Sequence, residues 1–406
     1  MQFTREITMS DVFIIGVGQT PVGKKQDLSL ADMGASAVIE ALAYSQIEPE
    51  KVTAFYAGNM MSGQLCNQQL VATLIANKAG LTGCEAITAE GACGSGGAAA
   101  RLGFMAIASG CHEAVVVCGA EKMTHSERED TTAALATASH WDTEGGKGET
   151  FLSLNAKVMD LYMDHYQLSQ SSFANFSVNA HKNAMTNPNA MLRKQLGHDD
   201  YDASRSICGP IRLMDAPPIC DGAAAIILGN LNVAIAAQEK GIPVVRISAS
   251  AVASDHLALA DRESLLKLSA AEVSAHRAYR QSGLTPADID LFEPHDAYTI
   301  MTALSLEACG FAAPGTATEL SEEDIGLNGN LPICTFGGLK ARGHPVGATG
   351  IYQLVECFMQ LTDTAGENQV YGARIGMTQN FAGAAAVVFT HILERCENLA
   401  AGHIAA

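Results

Sequence analysis

Short runs of β-branched and other apolar residues alternate along the chain with longer Ala- and Leu-rich stretches, and glycine or polar turns separate them. Residues 12–15, 52–56, 114–117 and 289–292 have strand length, and the unbroken apolar run at 114–117 predicts a strand covered on both faces. Residues 98–108 and 351–361 are apolar over a length that predicts buried helices. Strands alternating with helices at this spacing predict mostly parallel sheets with helices on both faces, an α/β fold.

The pattern also repeats within the chain. Asp221-Gly-Ala-Ala-Ala-Ile-Ile-Leu228 parallels Ala382-Gly-Ala-Ala-Ala-Val-Val-Phe389, each a small-residue run leading into a β-branched strand. Tyr44 and Gln46, then Pro49 and a strand, parallel Tyr279 and Gln281, then Pro286 and a strand. A third pair is Ala92-Cys93-Gly-Ser-Gly96 and Gly343-His344-Pro-Val-Gly347; setting Gly96 opposite Gly347 puts Cys93 and His344 in equivalent places, each near a helix N-terminus. Two similar halves follow, 1–120 with 205–240 and 241–406, and the polar stretch 121–204, exemplified by His140-Trp-Asp-Thr-Glu-Gly-Gly-Lys-Gly148, reads as a loop domain inserted over the surface.

Composition narrows the function. At 406 residues the chain suggests two or three folding units, and 48% hydrophobic residues with 38 Gly favour large cores and tight turns. Lys and Arg total 25 against 43 Asp and Glu, a net charge of −18 that repels phosphate backbones and anionic lipid, so nucleic-acid binding is not expected. No apolar stretch has the length of a membrane span and the first ten residues do not suggest export. Eleven cysteines, an odd number without a CxxC pair, read as reduced thiols of a cytoplasmic protein.

Three residues stand out chemically. Cys93 lies among small residues that admit a substrate to the backbone, and a helix N-terminus there favours a thiolate nucleophile; an isolated cysteine is otherwise more often a small packing residue. His344, between Gly343 and Pro345, is held on a loop at a helix mouth and could deprotonate a thiol. His295, in Glu293-Pro-His-Asp-Ala-Tyr298, follows a strand C-terminus, where a donor can hold a developing oxyanion. Each histidine taken singly is more often a satisfied core or surface residue. Gly16-Val-Gly18 lacks the third glycine of a dinucleotide fingerprint, the 343–350 segment lacks the ending of a phosphate loop, and His198-Asp199-Asp200 lacks ligand spacing, so neither a nucleotide cofactor nor a metal is expected.

Together these segments resemble the thiolase superfamily over essentially the whole chain. Gly91-Ala-Cys93-Gly-Ser-Gly is similar to its nucleophile loop, and Gly119-Ala-Glu-Lys-Met123 to the segment after the next strand. Glu293-Pro-His295-Asp-Ala-Tyr and Gly337-Gly-Leu-Lys-Ala-Arg-Gly-His344-Pro-Val-Gly-Ala-Thr-Gly are the most specific matches. His-Asp at 295 and 296 is nearer the sterol-carrier-protein type and archaeal acetoacetyl-CoA thiolases. The resemblance implies a duplicated five-layer α/β/α/β/α fold, a loop domain over the coenzyme A site, and a homodimer or homotetramer. It implies coenzyme A thioesters as substrates, no permanently bound cofactor, and a ping-pong route through acyl-Cys93. His344 would take the thiol proton, backbone N–H groups of Cys93 and of the Ala382-Gly383 loop would hold the tetrahedral oxyanion, and His295 would hold the enolate.

One departure from the family bears on the chemistry. The places where relatives carry a second, acid/base cysteine hold Asn380 and Ala297 here, and neither exchanges a proton near neutral pH. Residues considered for a substitute relay are Asn380 itself, Cys334 and Tyr298, beside a water and His344 serving twice. The leading expectation is an acetyl-CoA C-acyltransferase making or cleaving a short 3-ketoacyl-CoA. The alternatives are a decarboxylating condensation, a retro-aldol cleavage of an acyl-CoA, and a non-catalytic subunit partnering a small OB-fold acyl-CoA-binding protein. Lys122, Lys147, Lys157, Lys182, Arg193, Lys194 and Arg205 fall in the stretch expected over the coenzyme A phosphates, and none is singled out as a ligand.

Overall fold

The apolar runs do become buried strands, and a computed structural model describes residues 10–399. In chain order the strands are β1 (Val12–Gln19), β2 (Ala54–Gly58), β3 (Glu85–Ala89), β4 (Ala114–Glu121), β5 (Ser206–Cys208), β6 (Ile211–Arg212), β7 (Gly222–Gly229), β8 (Val244–Ser254), β9 (Leu291–Glu293), β10 (Ile375–Ala382) and β11 (Val387–Cys396). All but the β5–β6 ribbon join one sheet in the order β3-β2-β4-β7-β1-β8-β11-β10-β9.

The middle of that order is a seam between two copies of one motif. β1 meets β8 through only three residue pairs, Val12–Ile247, Phe13–Arg246 and Ile14–Val245. Outward from there the neighbours are β7, β4, β2 and β3 on one side and β11, β10 and β9 on the other, with Ile333 bridging β9 in the place of β3. Directions match too: two antiparallel pairings, then two parallel ones. Of the two small-residue runs that betrayed the duplication, the first opens β7 and the second forms the turn that leads into the equivalent strand, β11.

Antiparallel pairings therefore outnumber parallel ones, contrary to the expectation of mostly parallel sheets. The physical reason is visible in the second half, where β11 follows β10 directly through a tight turn; β7, reached from β4 through the helices of residues 121–204, takes the equivalent place and direction in the first half. A tight return forces opposite directions.

Two central helices, Ser95–Ala108 and Thr349–Leu361, lie between the two halves' sheets and touch strands of both. Helix Leu30–Ser45 covers the outer face of the first half and helix Ser269–Ser282 that of the second, which gives five layers, α/β/α/β/α. A short turn, Ala92–Gly94 and Val346–Ala348 respectively, precedes each central helix. By these elements Cys93 is equivalent to Gly347, so the equivalence of Cys93 with His344 is off by three positions. Glycines spaced three apart in the second segment, Gly347 and Gly350, made the two registers indistinguishable by letters.

The stretch expected as a polar surface insertion packs into a core that it shares with the second half. Helix Phe151–Tyr166 places Leu154, Val158, Met159 and Tyr162 at helical spacing, and with Phe173 and Tyr201 they are buried in one core with Leu304, Ile333 and Phe381 of the second half. Many of its polar residues are buried as well: Asn179, Asn183 and Asn187 donate to the backbone carbonyls of Ile333, Cys334 and Phe336. No helix among the described residues is long and apolar enough to cross a membrane.

The central helices approach as closely as backbone allows. A Cβ on Gly350 would stand 2.5 Å from Gly97 N and also strike the Asn380 side chain, and one on Gly96 would stand 3.0 Å from Gly347 O. We predict that Gly350→Ala destabilises the fold by about 1–3 kcal/mol, the usual cost of forcing a methyl into a filled interior. Denaturant unfolding measures it; a midpoint equal to wild type would contradict this packing.

Candidate active site

Cys93 is positioned by a strained turn between β3 and the first central helix. Ala92 has a φ of 50°, unusual for a residue with a side chain. The turn holds because Ser95 Oγ donates to Ala92 O at 2.6 Å and accepts from Gly91 N at 3.0 Å, while Glu90 Oε1 accepts from Ala92 N at 2.6 Å. The thiol ends 8% exposed, against Met60 Sδ at 4.0 Å.

His344 arrives from the other half. Gly343, with a φ of 117° and Val22 Cγ1 2.5 Å from where a Cβ would lie, turns the chain into the helix mouth. The ring is held through Nδ1 and Thr349 Oγ1 at 2.7 Å, which leaves Nε2 unengaged. His295, just past β9, sits edge-on to His344 with ring centroids 4.9 Å apart and stacks on Phe381 at 5.2 Å. Its Nδ1 is 3.2 Å from Asn380 Nδ2, which also reaches Cys93 O at 3.3 Å.

Cys93, His295 and His344 line one cavity of about 300 Å³, together with Tyr298, Gly383 and the apolar Phe151, Met301 and Phe381. Ala297 lines it as well, so that position offers no proton carrier. Asn380 stands behind the two rings, and Ala382 is not in the wall. Cys334 is buried toward Asp296 and Lys340 and does not line the cavity, so of Asn380, Cys334 and Tyr298 only Tyr298 opens on it, beside His344. Of the basic residues weighed for phosphate, Lys122 bonds Gln26 O and Leu28 O, Lys157 pairs with Glu149 and Lys182 with Glu322. The cation at the cavity wall is Arg128, which was not among the residues weighed for phosphate; its neighbours Glu127, Glu129 and Asp130 give the segment the look of a solvated charge run.

Glu121 was also overlooked as a site residue. At the end of β4 it is fully buried, accepting from Met60 N at 2.9 Å, Met61 N at 3.0 Å, Asn59 Nδ2 at 3.1 Å and Gly347 N at 3.2 Å. One carboxylate thus ties the loop after β2 to the turn after His344. Burial pushes it up to about 7 while those donors pull it down.

The electrostatics of the pair differ from the sequence expectation. Burial, helped by the carboxylates of Glu121 and Glu90, pushes the Cys93 thiol up to about 12, so desolvation outweighs the helix terminus that was expected to favour a thiolate. Burial holds His344 well below its ordinary value, with His295 and Arg342 adding to it, and takes His295 down to about 3. The empty site is a neutral thiol beside neutral imidazoles, suited to proton transfer during attack rather than to a standing ion pair. Because thiolate falls about tenfold per pH unit below the pKa, alkylation of Cys93 by iodoacetamide should keep rising from pH 7 to pH 10 without a plateau. Glu121→Gln, which removes a like charge, should move that curve toward lower pH. Mass spectrometry of the Cys93 peptide follows both, and a plateau near neutrality would contradict the neutral pair.

With this geometry in hand, the comparisons with known proteins are specific. The family description "Thiolase, N-terminal domain" matches residues 12–196, and "Thiolase C-terminal domain-like" matches residues 251–395. The chain is 40% identical over 388 residues to an Acetyl-CoA acetyltransferase of Methanothermobacter thermautotrophicus, covering 95% of this chain and 100% of that one. It is 30% identical over 399 residues to Sterol carrier protein 2 of Homo sapiens, covering 94% of this chain and 72% of that one. Among solved structures, the Ltp2-ChsH2(DUF35) aldolase shares the fold with a TM-score of 0.82 at 22% identity, over 95% of this chain and 98% of that one. Two domain matches spanning both halves, and a relative alike over nearly the full length, establish that the chain belongs to the thiolase family.

Proposed function

We propose that the protein is an acyl-CoA C-acyltransferase that forms or cleaves a short 3-ketoacyl-CoA, acetoacetyl-CoA first among them, through an acyl group carried on Cys93. The observation that carries this reading is the meeting of one thiol and two imidazoles, from opposite halves of the fold, in one cavity. Cys93 Sγ attacks the thioester carbonyl of the acyl donor, or the C3 ketone of a 3-ketoacyl-CoA in the cleavage direction, as His344 Nε2 takes its proton. The backbone N–H groups of Cys93 and Gly383 hold the oxyanion, and collapse expels coenzyme A, or the enolate of acetyl-CoA in the cleavage direction. His295 holds the thioester oxygen of the second acyl-CoA.

Arg128 at the cavity wall is a partner for the phosphates, with residues 121–204 as the loop domain between the halves 1–120 with 205–240 and 241–406. The thioester, thiol, imidazole and amide groups suffice for this chemistry, so no resident cofactor is called for. β3 is an edge strand with Ile87 44% exposed, which supports pairing of two copies edge to edge in a homodimer, or two dimers in a homotetramer. The name of the Ltp2-ChsH2(DUF35) aldolase supports a small OB-fold acyl-CoA-binding partner. The odd number of cysteines without paired spacing supports a cytoplasmic location.

Retro-aldol cleavage of an acyl-CoA has one observation in its favour, Tyr298 lining the cavity where a phenol can donate a proton. The two readings separate at the nucleophile, because aldol cleavage needs no acyl-enzyme. Acetoacetyl-CoA with coenzyme A should yield acetyl-CoA, and Cys93→Ala should lower the rate at least about 10³-fold, as loss of a covalent nucleophile does. No thiolysis of any 3-ketoacyl-CoA chain length, or thiolysis undiminished in Cys93→Ala, would sink the proposal.

A further inference from the structure

Asn380 occupies the place of a family acid/base thiol but cannot move a proton, and its surroundings say what it does instead. It is 1% exposed in β10 with three hydrogen-bond partners. Its Oδ1 accepts from Gly97 N at 3.1 Å, and its Nδ2 faces Cys93 O at 3.3 Å and His295 Nδ1 at 3.2 Å. Two of those partners have no choice of role: a backbone N–H only donates and a backbone carbonyl only accepts. They fix which end of the amide is oxygen and which is nitrogen without reference to the histidine. One hydrogen of the NH2 group goes to Cys93 O and the other to His295 Nδ1. That ring nitrogen must then carry the lone pair, and the ring proton must sit on Nε2. Phe381 against one face and His344 at the edge hold the ring from turning over.

We propose that Asn380 is a positioning residue that locks His295 in the Nε2–H tautomer, so that His295 is a standing hydrogen-bond donor and His344 is the one imidazole of the pair that takes protons. This rests on the acyl-transfer reading above. In the condensation direction His344 Nε2 removes a proton from C2 of acetyl-CoA, and the C–H electron pair becomes the enolate, whose oxygen accepts the Nε2–H of His295. The enolate carbon attacks the carbonyl of the acetyl group on Cys93 and a C–C bond forms. The tetrahedral intermediate collapses by breaking its C–S bond, and the departing Cys93 thiolate recovers the proton from the His344 imidazolium. The same base serves acyl transfer and enolisation, which fits a cavity lined by a single thiol.

The test is the tautomer itself, read by nitrogen chemical shifts in protein carrying isotope-labelled histidine, with the His295 signals identified by their loss in His295→Gln. The expected result is Nε2–H in the wild type at neutral pH. In Asn380→Asp, which keeps the acceptor for Gly97 but accepts where the amide donated, it should switch to Nδ1–H. Condensation in that variant should fall about 10²–10³-fold, the cost of losing one oxyanion donor. An Nδ1–H tautomer in the wild type, or an unchanged tautomer in Asn380→Asp, overturns the proposal; should that variant fail to fold, the wild-type spectrum decides alone. A wild type without acyl transfer would refute the function yet leave the tautomer readable, whereas an active wild type with Nδ1–H would refute only this inference.

Discussion

The structure depends on two helix N-termini being close enough for their backbones to touch. The halves share only three residue pairs across β1 and β8, so that seam alone does not fix how the two sheets face each other. The central helices do, since each packs on strands of both halves. Glycines at 96 and 350 remove the side chains that would ordinarily hold helices 8–10 Å apart at their axes. Each helix carries one reactive loop at its mouth, so the spacing that packs the helices also sets the spacing of Cys93 and His344. Catalytic geometry here is a by-product of core packing, and a methyl group at the crossing would disturb both together.

Buried charges then brace the loops without entering the cavity. Asp296 points away from His295's side, accepting from Leu339 N at 2.7 Å and pairing with Lys340 Nζ at 2.7 Å. Leu339 and Lys340 lie in the wide helical turn Gly338–Arg342 that delivers Gly343 and His344, so the strand end bearing one imidazole is fastened to the turn bearing the other. Arg342 pairs with Glu356 at 3.1 Å and lies over the Tyr352 ring at 4.8 Å. Burying such pairs gains little net stability, because desolvation cancels much of the Coulomb attraction, yet removing one partner costs about 3–5 kcal/mol. Their use is rigidity at the one place where two loops must keep register. Glu121 performs the equivalent task in the other half, joining the loop after β2 to Gly347.

What could be read from letters was what depends on composition and order; what could not was what depends on contact. The small-residue runs at 222–225 and 383–386 marked equivalent strands, the first because it lies within buried β7 and the second because it is the tight turn into β11, and both needs leave a trace in the sequence. Sheet direction left none, since an apolar run looks alike in either direction, and the expectation of mostly parallel pairing failed at β7 and β11. The Cys93 and His344 register slipped by three because glycines repeat at that interval. Glu121 and Asn380 belong to the site only through partners distant in sequence, among them Gly97 and Gly347, and no local pattern announces such a bond. The thiolate expectation failed for a related reason: a helix terminus can be inferred from sequence, but the depth of burial that outweighs it cannot.

That depth has a consequence for reactivity. A thiol held near pKa 12 beside an imidazole held far below its usual range contains almost no thiolate when the cavity is empty. In the proposed reaction, ionisation becomes favourable only when a carbonyl oxygen sits where the backbone donors can take up its developing charge, and the proton would move to His344 as the C–S bond forms. Binding energy of the thioester is thereby spent at the transition state rather than on a standing ion pair. The same arrangement protects the nucleophile, since adventitious electrophiles and oxidants react with thiolate and find little of it. A surface-exposed, low-pKa cysteine would react faster with everything; this one is tied by desolvation to the molecule that can complete its pocket.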